Sequence, residues 1–233
     1  MPENRFPDVL VSLLTAHWRL KIALTLALNL LFWGGYGYLG HHALFPLRAV
    51  PLTALDRSVP FQPFPWAWIY LSQYIFVPAL PWLLTARQAI RRYAVGVLIM
   101  SLASFSIFLF LPTPGPRPLE VGDDFAMRTV ATYDGALNAC PSLHAVFLVY
   151  MALLAWRMFG RHAPLLTAGT SFLWGTAILY STLATKQHYV LDLVLGAVLG
   201  VAADWLAWRG APPAIAELTI PRNSGDTSHA GAR

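Results

Sequence analysis

The stretch STLATKQHYVLDLVLGAVLGVAADWLAW, from Ser181 to Trp208, decides the fold. It opens with a short polar segment and continues as an almost entirely apolar run over residues 189–208. A run of about twenty apolar residues crosses the hydrocarbon core of a bilayer as one helix. A second polar segment, residues 140–144, likewise opens an apolar run. Ionisable groups at such depths are costly and typical of functional sites, so the two segments indicate a site in a membrane protein.

The composition supports a membrane protein with one domain. Of 233 residues, 57% are hydrophobic and 12% are charged, and the mean hydropathy is +0.53. Soluble domains carry about 25% charged residues. The net charge of +5 comes from cations that flank the apolar runs, which argues against nucleic-acid binding. Because Cys140 is the single cysteine, an internal disulfide is excluded.

The apolar runs predict an all-α fold, a polytopic membrane protein built as a six-transmembrane-helix bundle. They cover residues 20–40, 66–84, 93–111, 143–159, 163–183 and 189–208. Pro78 and Pro81 predict a kink in the second run, and the long connection over residues 41–65 has room for a short interfacial helix. We therefore expect a cytoplasmic N-terminal segment over 1–19, the membrane domain over 20–210 and a disordered cytoplasmic tail over 211–233.

The positive charges predict the orientation of this bundle. Eleven of the sixteen Lys and Arg fall on the side of the two termini, and the other five are Arg48, Arg57, Arg117, Arg128 and Lys186. The positive-inside rule places the side with eleven in the cytoplasm. Alternation of the runs then brings both polar segments to one non-cytoplasmic face. The residue usage favours a bacterial inner membrane with the site facing the periplasm, whereas a eukaryotic chain would face the Golgi lumen or the cell exterior.

His188 and Asp192 are four residues apart at the start of the sixth run and therefore share one helix face. An aspartate in that position can fix the tautomer of the imidazole and leave its other nitrogen free to attack. The partial positive charge of a helix N-terminus disfavours the imidazolium, as a nucleophile requires. Taken alone, the pair fits an interfacial histidine beside a structural aspartate better than a catalytic pair.

His144 begins the fourth run behind Ser142, where the free N–H groups of a helix start bind anions. This histidine could protonate a leaving alkoxide and later activate an incoming hydroxyl group. Arg117 lies in a proline-rich, stiff segment and suits bidentate contact with a phosphate. Lys186 adds a second cation, although it also fits a lysine that extends to the membrane surface.

Taken together, these residues resemble the type 2 phosphatidic acid phosphatase superfamily over roughly residues 60–205. Arg117-Pro118 matches the end of the first family motif, which is Lys, six residues, Arg-Pro. Residues 141–144, Pro-Ser-Leu-His, resemble the second, Pro-Ser-Gly-His. Ser181, His188 and Asp192 keep the spacing of the third, which is Ser-Arg, five residues, His, three residues, Asp.

The chain departs from the family pattern at two cations. Phe110 stands where the first motif has its lysine, and Thr182 stands where the third has its arginine. Lys186 lies one helical turn beyond Thr182 and is a candidate replacement. Residues 133–135, 138–144 and 181–189 look more like the inositol phosphorylceramide synthase branch. That branch moves a phospho-head group from a lipid to a hydroxyl acceptor.

The resemblance implies a two-step displacement that uses neither a metal nor another cofactor. His188 would attack phosphorus, Asp192 would orient it, and His144 would protonate the departing oxygen. The residues implied to hold the phosphoryl oxygens are Arg117, Ser142, Ser181 and Lys186. We also suspect Tyr133 and Asp134 of contacting a polyol head group, although Asp134-Gly135 fits a simple turn as well.

The expected substrate is a phospholipid or an isoprenoid or sphingolipid-type phosphate, and the expected partner is the bilayer. Two alternatives stay open. A small transporter would use the intramembrane Asp192 and Asp204, and a catalytically inactive family member would explain the missing cations. A zinc site is disfavoured because ligation would occupy the same imidazoles that must attack and transfer protons. The sequence says nothing about the oligomeric state.

Overall fold

The structure is a computed structural model that describes residues 6–216, and every regular element within this range is helical. Most of the predicted disordered tail, residues 217–233, lies outside the described residues. The α-helices are α1 (Phe6–Thr15), α2 (Trp18–His41), α3 (Ala54–Ser58), α4 (Trp66–Ala79), α5 (Arg87–Phe110), α6 (Phe125–Tyr133), α7 (Leu143–Phe159), α8 (Pro164–Ala184) and α9 (Val190–Trp208). Short 3₁₀ turns cover Leu80–Leu83 and Pro213–Ala216.

Each of the six predicted apolar runs coincides with a helix, namely α2, α4 with its 3₁₀ turn, α5, α7, α8 and α9. By length and composition, three helices in the described range can cross a membrane, and these are α2, α5 and α9. α7 is apolar but shorter, with 17 residues. These helices support a membrane protein. The predicted kink coincides with the change from α-helix to 3₁₀ turn after Ala79, between Pro78 and Pro81.

The closest helix contact joins α7 and α9 and depends on two glycines. A Cβ atom at Gly196 would lie 2.4 Å from the carbonyl oxygen of Ser142, and one at Gly200 would lie 2.6 Å from that of Val146. Only glycine permits such an approach between backbones, as in the small-residue interfaces of membrane helices. The spacing of these glycines in α9 therefore brings the N-terminal ends of α7 and α9 together.

Aromatic side chains attach α2 to the bundle formed by α5, α7 and α9. The ring of Phe32 stacks on Tyr36 with centroids 5.3 Å apart and meets Phe147 edge-on at 5.6 Å. Phe105 fills the space beside Gly35, where a Cβ atom would lie 2.6 Å from its ring. Such edge and offset contacts add to the packing of aromatic clusters. Tyr36 is thereby fixed near the start of α7.

The structure corrects the predicted boundaries in three places. α1 and α6 were not expected, because both are too short to register as membrane runs. α6 begins at an Asp124 cap, whose carboxylate accepts from the N–H of Met127 at 2.7 Å, and it buries Met127 and Val130. α5 begins at Arg87, six residues before the apolar run, because Arg92 donates to the carbonyl of Ala207 at 2.8 Å and holds that turn against α9. α3 is the short helix expected in the first long connection.

Replacing Gly196 by alanine should separate α7 from α9. Its Cβ atom would clash with the Ser142 carbonyl, and overpacking of this kind costs about 1–3 kcal/mol. Thermal unfolding in detergent measures the loss of stability. Gly169→Ala in α8 is the matched control, because a Cβ atom there meets nothing within 4 Å. Equal melting temperatures for the two variants would contradict the close contact.

Candidate active site

The two histidines lie together where α7 and α9 begin. Their ring centroids are 5.9 Å apart with an interplanar angle of 56°. Both side chains are buried, with 6% of His144 and 5% of His188 exposed. The N–H of Ser142 donates to the carbonyl of Asp192 at 3.0 Å, which joins the two helix starts directly. Both imidazoles can therefore reach one small group between them.

His188 is held in one tautomer by a backbone carbonyl. Its Nδ1 lies 2.9 Å from the carbonyl oxygen of Ala139. Because a carbonyl can only accept, Nδ1 must carry the proton, and in the neutral ring Nε2 then keeps its lone pair. The nearest carboxylate oxygen of Asp192 is 3.7 Å from Nδ1. Ala139 therefore makes the hydrogen bond to this ring, and Asp192, which was expected to orient it, lies next to the same nitrogen as a charge without that bond.

Asp192 is completely buried and stabilises the turn that carries His188. Its Oδ2 accepts from the N–H of Tyr189 at 2.8 Å, which caps the start of α9. Its Oδ1 has no hydrogen-bond donor at ordinary geometry among the described residues, and the neighbouring Cys140 thiol is close enough to interact with the carboxylate. Burial raises the pKa of Cys140 to about 12, and the charge of Asp192 adds to this shift. Cys140 is therefore a neutral thiol beside the carboxylate.

His144 is the second residue of α7 and packs against tyrosines of α4. Its ring lies 3.9 Å from that of Tyr70 and meets Tyr74 edge-on at 5.6 Å, measured between centroids. Gln73 donates to the His144 carbonyl at 2.8 Å and fixes the helix start against α4. The Nε2 atom of His144 is buried and has no hydrogen-bond partner in the part of the chain described. Buried polar atoms usually have a hydrogen-bond partner, so an unpaired ring nitrogen at this position is available to contact a bound group.

Arg117 directs unpaired donors into the same region. One terminal nitrogen donates to the carbonyl of Gly135, whereas Nε and Nη1 are buried without a partner in residues 6–216. Thr113 fixes the loop before it, because its hydroxyl accepts from the N–H of Cys140 at 2.8 Å. Arg117 and His144 are near enough to interact electrostatically. Nε and Nη1 together carry three N–H groups without a partner in the described residues, and such a group near His144 is suited to binding a phosphate or a similar anion.

Lys186 lies at the outer edge of this site and contacts α3. Its Nζ donates to the carbonyls of Asp56, at 3.3 Å, and Val59. Its backbone is left-handed, with φ of 55°, which is uncommon for a residue other than glycine. Lys186 lines a groove of about 580 Å³ together with Arg117 and Glu120. The two predicted phosphate-binding cations therefore share one opening.

Asp56 fixes the loop that contains Lys186 and His188. Its carboxylate accepts from the N–H of Val190 at 2.8 Å and from Thr53, which caps α3. Burial alone would raise the pKa of Asp56, but these hydrogen bonds and the charge of Lys186 hold it below its ordinary value. Asp56 was not anticipated, since nothing in its local sequence indicates a contact with a residue so far along the chain.

The two predicted serines use their hydroxyl groups within their own helices. The Ser142 hydroxyl accepts from the N–H of Ala145 at 3.4 Å, as expected for a helix cap. The Ser181 hydroxyl donates to the carbonyl of Ile178 at 2.7 Å. Thr182 behaves in the same way towards Leu179. Phe110, at the position of the family lysine, is 56% exposed and packs against Phe45.

Asp134 is enclosed by three tyrosines that the sequence analysis did not include. Its carboxylate accepts from Tyr36 at 2.9 Å, from Tyr74 at 3.3 Å and from Tyr70. Asp134 is 7% exposed, while its neighbour Tyr133 is 63% exposed at the end of α6. Tyr133 and Asp134, which were suggested to contact a head group together, therefore have different surroundings, and Asp134 is occupied by the tyrosines. The four-residue spacing of Tyr70 and Tyr74 places them on one helix face, but nothing local in the sequence relates them to Asp134.

No three His, Cys, Asp or Glu side chains within residues 6–216 lie close enough to hold a metal ion. A sequence model described as the PAP2 superfamily matches residues 47–206. The chain belongs to the PAP2 superfamily. The matched region contains both histidines, Asp192 and Arg117. Searches of curated proteins and of solved structures found no match. Membership of the PAP2 superfamily indicates a reaction of the phosphatase or phosphotransferase type, while the inositol phosphorylceramide synthase branch stays a prediction.

Removing the Asp134 carboxylate should destabilise the packing around His144. In Asp134→Ala the hydroxyl groups of Tyr36 and Tyr70 lose their buried acceptor, so the free energy of unfolding should fall by about 2–4 kcal/mol. Asp123→Ala is the control, since its ion pair with Arg128 is exposed and should contribute less than about 1 kcal/mol. Thermal unfolding of both variants in detergent checks the difference. A stability of Asp134→Ala equal to wild type would refute the structural role of the cluster.

Proposed function

We propose that this PAP2 protein is a membrane-embedded lipid phosphatase or phosphotransferase whose reaction passes through a phosphohistidine on His188. The carrying observation is the proximity of two imidazoles, 5.9 Å apart between centroids, beside the unpaired donors of Arg117. His188 has the tautomer that a nucleophile needs, because Nδ1 is engaged by the Ala139 carbonyl. The second ring, His144, has a free buried nitrogen on the same site.

In the first step Nε2 of His188 attacks the phosphorus atom of the lipid ester. The bond between phosphorus and the leaving oxygen breaks as the bond between phosphorus and nitrogen forms. His144 donates a proton to the leaving alkoxide, which departs as an alcohol. Asp192, 3.7 Å from Nδ1, offsets the positive charge that His188 acquires.

In the second step an acceptor hydroxyl replaces His188. His144, now neutral, takes the proton of the acceptor as its oxygen attacks phosphorus. The bond between phosphorus and His188 breaks, and both imidazoles return to their starting protonation states. Water as acceptor gives hydrolysis, and an alcohol gives transfer of the phospho-head group.

Arg117 is the principal anion-binding group in this proposal, because its Nε and Nη1 are free to contact phosphoryl oxygens. The first turn of α7 adds N–H groups without intrahelical acceptors and a partial positive charge. Ser142 supports that turn as its cap. Lys186 contributes charge from the groove, while Ser181 acts by fixing the end of α8 through its bond to Ile178.

We infer transfer to an alcohol, as in the inositol phosphorylceramide synthase-like branch, rather than hydrolysis as the main reaction. The groove beside the site carries Glu120 together with Arg117 and Lys186. Such a mixture of acceptor and donors suits the hydroxyl groups of a polyol. The segment around Tyr133 and Asp134, whose sequence resembles that branch, closes the other side of the site through Gly135 and Arg117.

We further propose that six helices, α2, α4, α5, α7, α8 and α9, cross a bacterial inner membrane. Both termini then lie in the cytoplasm and the site faces the periplasm. The distribution of the cations supports this orientation, and the position of both histidines at helix starts agrees with it.

The transporter alternative loses one of its two supports. Asp204 is buried and makes a bidentate ion pair with Arg157, at 2.5 and 2.7 Å, and the Arg157 guanidinium lies over the ring of Trp208. A carboxylate neutralised in this way does not extend a polar path from Asp192. The inactive alternative rests on the missing cations and is decided by trapping the intermediate.

A radiolabelled phospholipid donor should label His188 in EDTA. The wild type should form an alkali-stable phosphohistidine, and His188→Ala should lose both the label and turnover. His144→Ala should lower turnover by about 10²–10⁴-fold, because it removes the general acid and base. His42→Ala, on an exposed loop, is the control and should behave as wild type. Absence of label and of turnover with every lipid phosphate and phospholipid donor would overturn the proposed reaction.

Adding an alcohol acceptor should divert the phospho-head group from water. With phosphatidylinositol as donor and a long-chain alcohol in excess over the enzyme, most of the inositol phosphate should appear as an ester of that alcohol rather than as free inositol phosphate. Glu120→Gln should reduce this preference without removing phosphohistidine formation, since Glu120 lies in the groove and not against His188. A ratio of transfer product to hydrolysis product that does not change when the acceptor is added would indicate a plain phosphatase.

Cysteine accessibility should reveal the orientation. In a Cys140→Ala background, a membrane-impermeant maleimide should label Glu120→Cys in intact spheroplasts. It should label Gln88→Cys, at the exposed start of α5, only after permeabilisation. Labelling of both positions from the same side would contradict the proposed topology.

A further inference from the structure

A narrow apolar cleft leads away from the site between α2 and α4. It begins at His144 and Tyr74, follows Phe32 and Leu28 on α2, and ends at Lys21 and Trp82. Its volume is about 240 Å³. The apolar walls of the cleft continue directly from His144. An apolar group in the cleft would therefore be part of the same molecule as the phosphate at the histidines.

The cleft is long relative to a bilayer leaflet. Along α2 it extends from Tyr36 to Lys21, about 22 Å at the rise of an α-helix. Half of the hydrocarbon core is about 15 Å thick. If α2 crosses the membrane with the site at one surface, a cleft of this length passes the middle of the hydrocarbon core.

Two hydrogen bonds of Lys21, to the carbonyls of Leu13 and Trp82, close the far end of the cleft, and we call them the Lys21 latch. Lys21 is 3% exposed, and its Nζ donates to the carbonyl of Leu13 at 2.7 Å and to that of Trp82 at 2.6 Å. These bonds join α1, α2 and the 3₁₀ turn after α4 at one point. Leu13 belongs to α1, so this helix holds Lys21 in place from outside the cleft, while Lys21 and Trp82 themselves line its end.

We propose that the cleft holds one hydrocarbon chain of the lipid substrate, with the phosphate at the histidines and the chain end at the Lys21 latch. This inference rests on the proposed function, because it assigns the substrate of the same site. A volume of 240 Å³ is below the roughly 300–1,000 Å³ of sites for drug-sized ligands, which favours one chain over two. A helix from a second protein, about 10 Å in diameter, does not fit.

The side of the cleft supports a lipid as occupant. Trp33 and Asn29 line the cleft on the α2 side and are exposed at the protein surface. If α2 crosses the membrane, that opening faces lipid chains. Lipid tails are as apolar as leucine, so entry gains little from the hydrophobic effect. The cleft instead selects by shape and positions the phosphate for attack.

A plug variant tests the position of the chain. Leu28→Trp should fill the middle of the cleft, and Leu30→Trp on the same helix is the matched control because Leu30 is 77% exposed. Turnover is compared for butyl phosphate and hexadecyl phosphate. Leu28→Trp should lower kcat/KM for the hexadecyl ester by about tenfold or more relative to the butyl ester, because a displaced chain misplaces the phosphate. Leu30→Trp should leave this ratio unchanged.

Equal effects of Leu28→Trp on both esters, or no effect on either, would overturn the chain site while the proposed chemistry stands. A second measurement uses the unmodified protein and does not depend on turnover. Hexadecyl phosphate with a diazirine at the chain end should crosslink to Lys21 or Trp82, which line the end of the cleft. Crosslinks spread over lipid-facing positions such as Leu30 would overturn the proposal even if the protein proves inactive. If phosphohistidine fails to form but the latch is labelled, the proposed function fails and the chain site stands.

Discussion

The contact between the backbones of α7 and α9 is the constraint on which the site depends. Gly196 leaves room for the Ser142 carbonyl, and the N–H of Ser142 then reaches the carbonyl of Asp192. Each histidine is within two residues of a helix start, so joining the starts joins the imidazoles. A larger residue at position 196 would move both rings, although it touches neither. The catalytic geometry is therefore a consequence of helix packing more than of the loops.

The local parts of the site could be predicted from the sequence, and the distant contacts could not. The run lengths gave the six helical segments, and alternation placed His144 and His188 at one end. Spacing within one helix also related His188 to Asp192. By contrast, Tyr36 and Asp134 are 98 positions apart. No periodicity indicates such a pair, because it depends on how α2 packs against Phe105 and Phe147. α1 and α6 escaped prediction since short amphipathic helices give no membrane signal.

The structure does not replace the two absent family cations in the way that the motif spacing suggests. Sequence comparison makes Lys186 the replacement for an arginine at Thr182. Its Nζ is instead bound to the carbonyls at the end of α3, and the hydroxyl of Thr182 is bound to its own helix. Of the two candidate phosphate-binding cations, Arg117 is the one with buried donors that have no partner in the described residues. The proposed function therefore assigns most of the anion recognition to this one guanidinium.

The two carboxylates nearest the histidines differ in how their charge is used. Asp192 is 3.7 Å from Nδ1 of His188 and has one oxygen without a strong donor, so its charge acts directly on the ring that becomes cationic. Asp134 shares its charge among three tyrosine hydroxyls, and the ring of Tyr70 stands between it and His144. An imidazole that acts as a nucleophile becomes positively charged when it bonds to phosphorus. A carboxylate with an oxygen free of strong donors stabilises that positive charge. An imidazole that alternately donates and accepts a proton needs both protonation states to be accessible. A carboxylate whose charge is screened does not fix the ring in its protonated form. The unequal surroundings therefore support the unequal roles proposed for His188 and His144.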